Sequence, residues 1–278
     1  MAQLKDTVIQ GTAGLTLPVG TIAQRNSNPS DGEMRYNTEL GYVEYYYKGF
    51  WGQAQSSWGI PPFNGLVGYW NPGLDAVAKG WTNSQTLSGQ SLTDWSGNGN
   101  TATISGTPTY NSNYGGTLTL TTSQSVLTPI NHASQSGTVI CLSRYNGGTN
   151  GRICTASSNN WLLGHWNTGV LQYYSAGWIT SSSVNQFSPG TGQPDYTTFH
   201  IYAGTYGIGT SGYYGFFVNG GLGSRGTGGS AGPNQLGYNL YSSEPSSCEV
   251  GILMCWNRVL TDYEIMKATA AIQLRTGL

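Results

Sequence analysis

The chain of 278 residues carries twelve carboxylates, three histidines and four cysteines, the groups from which acid–base, nucleophilic or metal chemistry would be built. A glycosidase needs two carboxyl groups about 5–10 Å apart. On a strand that means an i, i+2 or i, i+4 pair. Between residue 63 and the last helical stretch the acids are Asp75, Asp94, Asp195, Glu244 and Glu249. None forms such a pair, and Glu244 and Glu249 straddle a Pro-Ser-Ser turn. His132, His165 and His200 lie far apart, and Cys141, Cys154, Cys248 and Cys255 show no CxxC spacing, which argues against zinc. Cys141 and Cys255 sit in apolar runs and read as buried thiols, with a Cys141–Cys154 bridge as the alternative. Serines are too common to single one out as a nucleophile. The expectation is a protein that is not an enzyme.

Two other groups of residues invite a binding role. Asp94, with Asn98, in Asp-Trp-Ser-Gly-Asn-Gly-Asn offers oxygens to Ca²⁺. One carboxylate falls short of the charge and the roughly 6–8 oxygens that Ca²⁺ takes. The competing reading is a turn in which Asp94 caps backbone N–H groups, and no cofactor is expected. The aromatics Trp161, Trp166, Tyr173, Tyr174, Trp178, Tyr206, Tyr213 and Tyr214 are interleaved with Gly and Asn. Aromatic faces stack on sugar rings and amides bind hydroxyls, so Trp166 and Trp178 are the candidates for a carbohydrate site. The alternative is that half of these rings fill a core.

Composition limits the partners. Eleven basic and twelve acidic residues leave a net charge of −1, with no surface to neutralise phosphates, so nucleic acid is not an expected partner. No apolar run of about 18 residues predicts a membrane span, and the start has no apolar segment of the secretory kind. With 42 glycines, 19 tyrosines and nine tryptophans, the chain favours short strands and many turns. The expected class is all-β.

Four segments follow. Residues 1–20 read as an extended arm. Residues 21–58 read as a small β-meander, with strands at Glu33–Tyr36, Tyr42–Tyr47 and from Phe50. About 35 residues cannot build their own core. Tyr36, Tyr42, Tyr45, Tyr47, Phe50 and Trp51 therefore predict self-association or docking. Residues 59–63, with Pro61-Pro62, read as a linker, and 64–278 as a two-sheet sandwich. The run Leu260–Leu274 predicts a helix capped by Thr261 and Glu264, with Leu260 and Ile265 as its staple. Its acids are capping groups. The glycine-rich run Gly220–Gly229 reads as a rim loop, not a phosphate loop.

Gly65-Leu-Val-Gly-Tyr-Trp-Asn-Pro72, Leu92-Thr-Asp-Trp-Ser-Gly-Asn-Gly-Asn-Thr-Ala-Thr103, Tyr214-Gly-Phe-Phe-Val-Asn-Gly220 and Cys248–Ile265 resemble the opening, middle and closing segments of laminin-G-like jelly rolls of the concanavalin A-like superfamily. Leu4–Gly11, Leu17–Arg25, Gly32–Thr38 and Tyr42–Trp51 resemble the head modules of bacteriophage fibre and spike proteins. The first resemblance implies a jelly-roll sandwich with a C-terminal helix. The second implies a virion structural protein (fibre, spike or capsid decoration), assembled in the host cytoplasm. Its expected partners are copies of itself, often as a trimer, and capsid or tail proteins. A polysaccharide-binding adhesin for host attachment is the alternative.

Overall fold

A computed structural model describes residues 16–39, 42–47, 49–53, 64–166, 170–179, 197–207, 214–226 and 229–278. Residues 1–15 of the arm expected at 1–20, the linker 59–63 and Tyr213 lie outside them. The chain divides into two compact units, Met1–Trp58 and Gly59–Leu278.

The first unit is a four-stranded sheet in the order β1 (Val19–Gly20), β2 (Met34–Asn37), β3 (Tyr42–Tyr47) and β4 (Phe50–Gln53). Strand alternation sorts its residues into two unlike faces. Met34 pairs with Tyr45 and Val19 with Tyr36, and all four side chains are exposed. The other face is ionic. Glu44 is buried and takes two bonds from Arg25, at 3.1 and 2.5 Å, and one from Asn37 at 3.1 Å. Arg35 approaches it at 3.5 Å. The Arg25 guanidinium holds the Glu44 carboxyl below its usual range, against the opposing effect of burial. Trp51 lies on this face, because it pairs with Tyr46 while Tyr45 pairs with Gly52. Its ring is 5.5 Å from Tyr46 and 5.7 Å from the Arg25 guanidinium. Of the six rings expected to serve association, Tyr36 and Tyr45 therefore share the open face and Trp51 does not. The side chains of Tyr42, Tyr47 and Phe50 lie outside the description.

The second unit is an all-β jelly-roll sandwich with a C-terminal helix. In chain order its elements are β5 (Leu66–Trp70), α1 (Pro72–Lys79), β6 (Ser91–Leu92), β7 (Ala102–Ser105), β8 (Thr109–Asn111), β9 (Thr117–Leu120) and β10 (Ser125–Leu127). Then come β11 (Gly137–Tyr145), β12 (Cys154–Ala156), β13 (Trp161–Trp166), β14 (Val170–Ser175) and β15 (His200–Tyr206). The last are β16 (Tyr214–Val218), β17 (Gly221–Gly226), β18 (Leu236–Tyr238), β19 (Cys248–Trp256) and α2 (Asp262–Thr276). One sheet runs β14-β13-β12-β18-β10-β7-β6, and the other β17-β16-β15-β11-β19-β9-β8 with β5 also on β19.

Trp70, Trp161, Tyr173, Tyr202, Phe216 and Cys141 fill the space between the sheets. A second cluster lies on the far side of β11 and β19, where Ile265, Ala268 and Ile272 of α2 cover Ile140, Leu142, Ile201 and Met254. Every residue of β19 is buried, as expected for a strand covered on both faces. Thr261 accepts from the Glu264 N–H at 3.3 Å, and the Glu264 carboxylate accepts from the Thr261 N–H at 2.9 Å. The Arg258 guanidinium holds the Glu264 carboxyl down at about 2. All four cysteines are free and buried.

Two elements differ from expectation. Helix α1 is additional: Asn71 caps it by accepting from the Gly73 and Leu74 N–H groups at 2.9 and 3.3 Å, Pro72 opens it, and Gly80 ends it in the left-handed region. Asn-Pro-Gly suits a turn as well as a helix start, which hid the element. The glycine-rich run is not a rim loop over Gly221–Gly226 but strand β17, paired to β16 across an Asn219-Gly220 turn with φ of 50° and 84°. Positive φ at both residues is the primed turn that hairpins favour.

The Asp94 segment closes the free edge of β5. Asp94 Oδ1 accepts from the Tyr69 and Ser96 N–H groups at 3.0 and 2.9 Å, and Oδ2 from the Asn100 N–H at 2.9 Å. Asn98 and Asn100 donate to the Leu66 and Val67 carbonyls at 2.9 and 2.7 Å. This is the turn-capping arrangement, with Gly97 and Gly99 at positive φ. Just before β5, the Asn64 carbonyl accepts from Arg258 at 2.7 Å and the Gly65 carbonyl from the Asn257 N–H at 2.8 Å. Asp94→Ala leaves three N–H groups without their acceptor, one at a buried site and two at part-buried sites. It should cost about 2–4 kcal/mol in urea unfolding; a loss below about 1 kcal/mol would show that the segment is not structural.

Candidate carbohydrate-binding cleft

The aromatic residues singled out in the sequence separate by strand parity. Trp161, Tyr173, Tyr206 and Tyr214 are buried in the core. Trp166 and Tyr174 stand on the opposite face of the β13–β14 hairpin, where Trp166 pairs with Val170 and Leu162 with Tyr174. The chain then reverses through Ala176, at φ 54°, and a β-bridge joins Tyr174 to Trp178. This returns Trp178 to the same face. Its ring lies 4.9 Å from Tyr174 and 5.4 Å from Trp166, and 38 % of it is exposed. The two candidate tryptophans, twelve positions apart, are thus neighbours in one row. Gln172, between Val170 and Tyr174 on this face, is buried, and its Oε1 has no partner among the described residues.

Trp166 is also one wall of a cleft of about 290 Å³, whose lining includes Asn150, Gly151, Ser243, Glu244 and Pro245. The Trp166 indole N–H donates to Glu244 Oε2 at 3.2 Å. The Arg152 Nε–H donates to the same oxygen. Arg152 is itself nearly buried, donates to Asn160 Oδ1 at 2.5 Å, and lies 4.2 Å over the Tyr241 ring. The segment 241–247 is tied down by Asn239, whose amide donates to the Thr121, Gln124 and Ser246 carbonyls and accepts from the Ser246 N–H at 2.7 Å. The cleft is therefore built on fixed elements, with an aromatic wall and hydrogen-bonding groups beside it, the usual make-up of a small-ligand site.

Sequence reasoning missed Asn150, Arg152, Tyr241 and Glu244. The available signal was the scarcity of charge: nine charged residues lie between 63 and 257, so an Arg and a Glu placed in turns there each need a reason. Glu249, the other acid beside the Pro-Ser-Ser turn, is buried and held by Thr117 and by Arg144 at 2.6 Å. Gly228–Gly232 has the Gly-x-Ser-x-Gly spacing of a nucleophile elbow, but the Ser230 hydroxyl donates to the Ala176 carbonyl at 3.1 Å. Among the described residues no group of three His, Cys, Asp or Glu could hold a metal ion.

Two of the three histidines, His132 and His165, are core residues. His165 lies between Ser143 at 3.4 Å and Tyr202 at 3.2 Å, and His132 bonds the Tyr206 hydroxyl at 2.7 Å. Burial drives their pKa values down, to about 3 and about 4. Burial also pushes the Cys255 thiol, near His132, up to about 12, which leaves no thiolate to act as a nucleophile.

No family model matches the chain, and no curated protein matches it. Solved structures do resemble it. Domain 4 of a GH43 extracellular arabinanase from Geobacillus stearothermophilus, solved with arabinotriose, is similar with a TM-score of 0.50 and 14 % identity, over 73 % of this chain and 98 % of that one. The binding domain of Paraclostridial Mosquitocidal Protein 1 gives a TM-score of 0.50 at 11 % identity, over 74 % and 52 %. The receptor binding domain of botulinum neurotoxin C/D mosaic serotype gives 0.53 at 11 %, over 75 % and 51 %. The chain spans about half the length of the two toxin domains. At these identities the likeness shows the fold, a β-sandwich.

The two buried histidines predict an acid response. Unfolded imidazoles keep a pKa near 6.5, while the folded ones are depressed. As pH falls below 6.5 the unfolded chain binds more protons, so stability falls, until the folded imidazoles titrate near 4 and 3. Each histidine contributes a slope of up to about 1.4 kcal/mol per pH unit in that window. In urea titrations from pH 7 to pH 4.5, His132→Gln should flatten the loss by about one proton; an unchanged slope would refute the assignment.

Proposed function

We propose that this chain is a non-catalytic attachment protein whose sandwich binds a cell-surface polysaccharide and whose N-terminal meander joins copies of it together. The observation that carries the reading is the Trp166–Trp178 row continuing into a cleft whose polar groups are already held in place. An exposed aromatic ring takes the C–H face of a sugar ring, and the cleft takes its hydroxyls. That domain 4 of the arabinanase, of the same fold, was solved with arabinotriose supports it. The resemblance of about the first 55 residues to phage fibre and spike heads supports a place on a virion, as a fibre, spike or decoration protein. The open face of Val19, Met34, Tyr36 and Tyr45 supports association, because a sheet of this size with one ionic face lacks an apolar core of its own. A trimer is the expected assembly.

Two measurements test this. Binding of the full chain to polysaccharides extracted from bacterial surfaces should be saturable, and Trp166→Ala should weaken it at least tenfold; indifference to that change sinks the glycan site. In light scattering the full chain should exceed one chain mass, and Tyr36→Ser with Tyr45→Ser should shift it towards the monomer. A monomeric parent chain would end the assembly reading.

A further inference from the structure

We infer that the cleft selects neutral, hydroxyl-rich sugars and rejects acidic ones, an inference that rests on the glycan-binding reading. Both protein bonds to the Glu244 carboxylate, from Arg152 and from the Trp166 indole at 3.2 Å, go to Oε2. Oε1 has no partner among the described residues, and about a third of the side chain (34 %) remains exposed in the cleft. Asn150 Oδ1, in the same lining, is buried and also has no partner among the described residues. Both atoms accept hydrogen bonds, so a ligand that satisfies them must donate. Two sugar hydroxyls do this, and a buried acceptor left unmatched is costly.

A nearby arginine would ordinarily suggest an anion site. Here its charge is already committed. Arg152 donates through Nε to Glu244 and through Nη1 to Asn160, its face lies on Tyr241, and only 9 % of its side chain is exposed. The remaining lining residues, Thr149, Gly151, Trp166, Ser243 and Pro245, are uncharged. A uronate or sialate carboxylate entering the cleft would meet the open Glu244 Oε1 at close range, and the cation beside it, Arg152, is already paired through Nε to Oε2 of that same carboxylate. Like charges brought together at a partly desolvated site oppose binding.

The experiment is calorimetric titration of the full chain with gluco-, galacto- and manno-configured oligosaccharides and with the same oligosaccharides carboxylated at C6. At least one neutral sugar should bind, with its carboxylated form at least tenfold weaker. Glu244→Gln should bring that ratio below threefold. Because this change also breaks the Arg152 pair, Asn150→Asp serves as a second variant: it adds a charge at the other acceptor and should widen the ratio. A carboxylated sugar bound as tightly as its neutral parent, or a ratio unmoved in both variants, overturns the selectivity while leaving glycan binding intact. Failure of every neutral and acidic sugar to bind overturns the glycan reading, and the selectivity with it.

Discussion

The constraint on which the sandwich depends is that backbone N–H and C=O groups at sheet edges and strand ends must find partners where water is excluded. With nine charged residues between positions 63 and 257, the chain meets it mostly with short polar side chains. Asp94, Asn98 and Asn100 act as a substitute strand along β5. Asn239 ties together three carbonyls and one N–H. Asn219 accepts from the Ile201 N–H at 2.9 Å beside the β16–β17 turn. Each joins segments distant in sequence, so the jelly-roll connections depend on side chains that read as ordinary turn formers.

The cleft holds two acceptors that the fold itself does not use. Its Glu244 Oε1 and Asn150 Oδ1 acceptors have no partner among the described residues, while the neighbouring guanidinium is held by Glu244, Asn160 and the Tyr241 ring. The carboxylate that caps Asp94's turn and the one that lines the cleft belong to the same small set of charges. One is spent on the fold, and the other has an oxygen left over. The two units also differ in where they place charge. The meander concentrates Arg25, Arg35 and Glu44 on one face and leaves the other apolar, whereas the sandwich buries Asp75, Asp94, Arg152 and Glu249 at separate places, each with its own partners.

Much of the fold was legible because it rests on local chemistry. The α2 helix follows from Thr261, Glu264 and the apolar spacing of Ile265, Ala268 and Ile272. The β19 strand follows from an unbroken apolar run, and the buried thiols from the apolar flanks of Cys141 and Cys255. Helix α1 was hidden because Asn-Pro-Gly serves turns and helix starts alike. Strand β17 was hidden because an edge strand pairs through its backbone and so tolerates glycine, which no side-chain pattern reports. The site was legible in part. Trp166 and Trp178 could be named from the sequence, but their adjacency depends on the Ala176 reversal. Glu244, Arg152 and Asn150 meet only because separate turns converge, and no spacing along the chain encodes that.

The bonds at the start of the sandwich have a mechanical consequence. A pull transmitted along the chain from residues before position 64 passes through Asn64 and Gly65. These residues are bonded not to a peripheral loop but to Arg258 and Asn257, at the junction of β19 and α2. Beyond them β5 is zipped to β19, with Leu66 opposite Trp256, and β19 is bonded in turn to the nine-residue β11. Tension therefore enters through β5, which β19 holds on one side and the Asp94 segment on the other, and passes from it to the longest strands of the larger sheet.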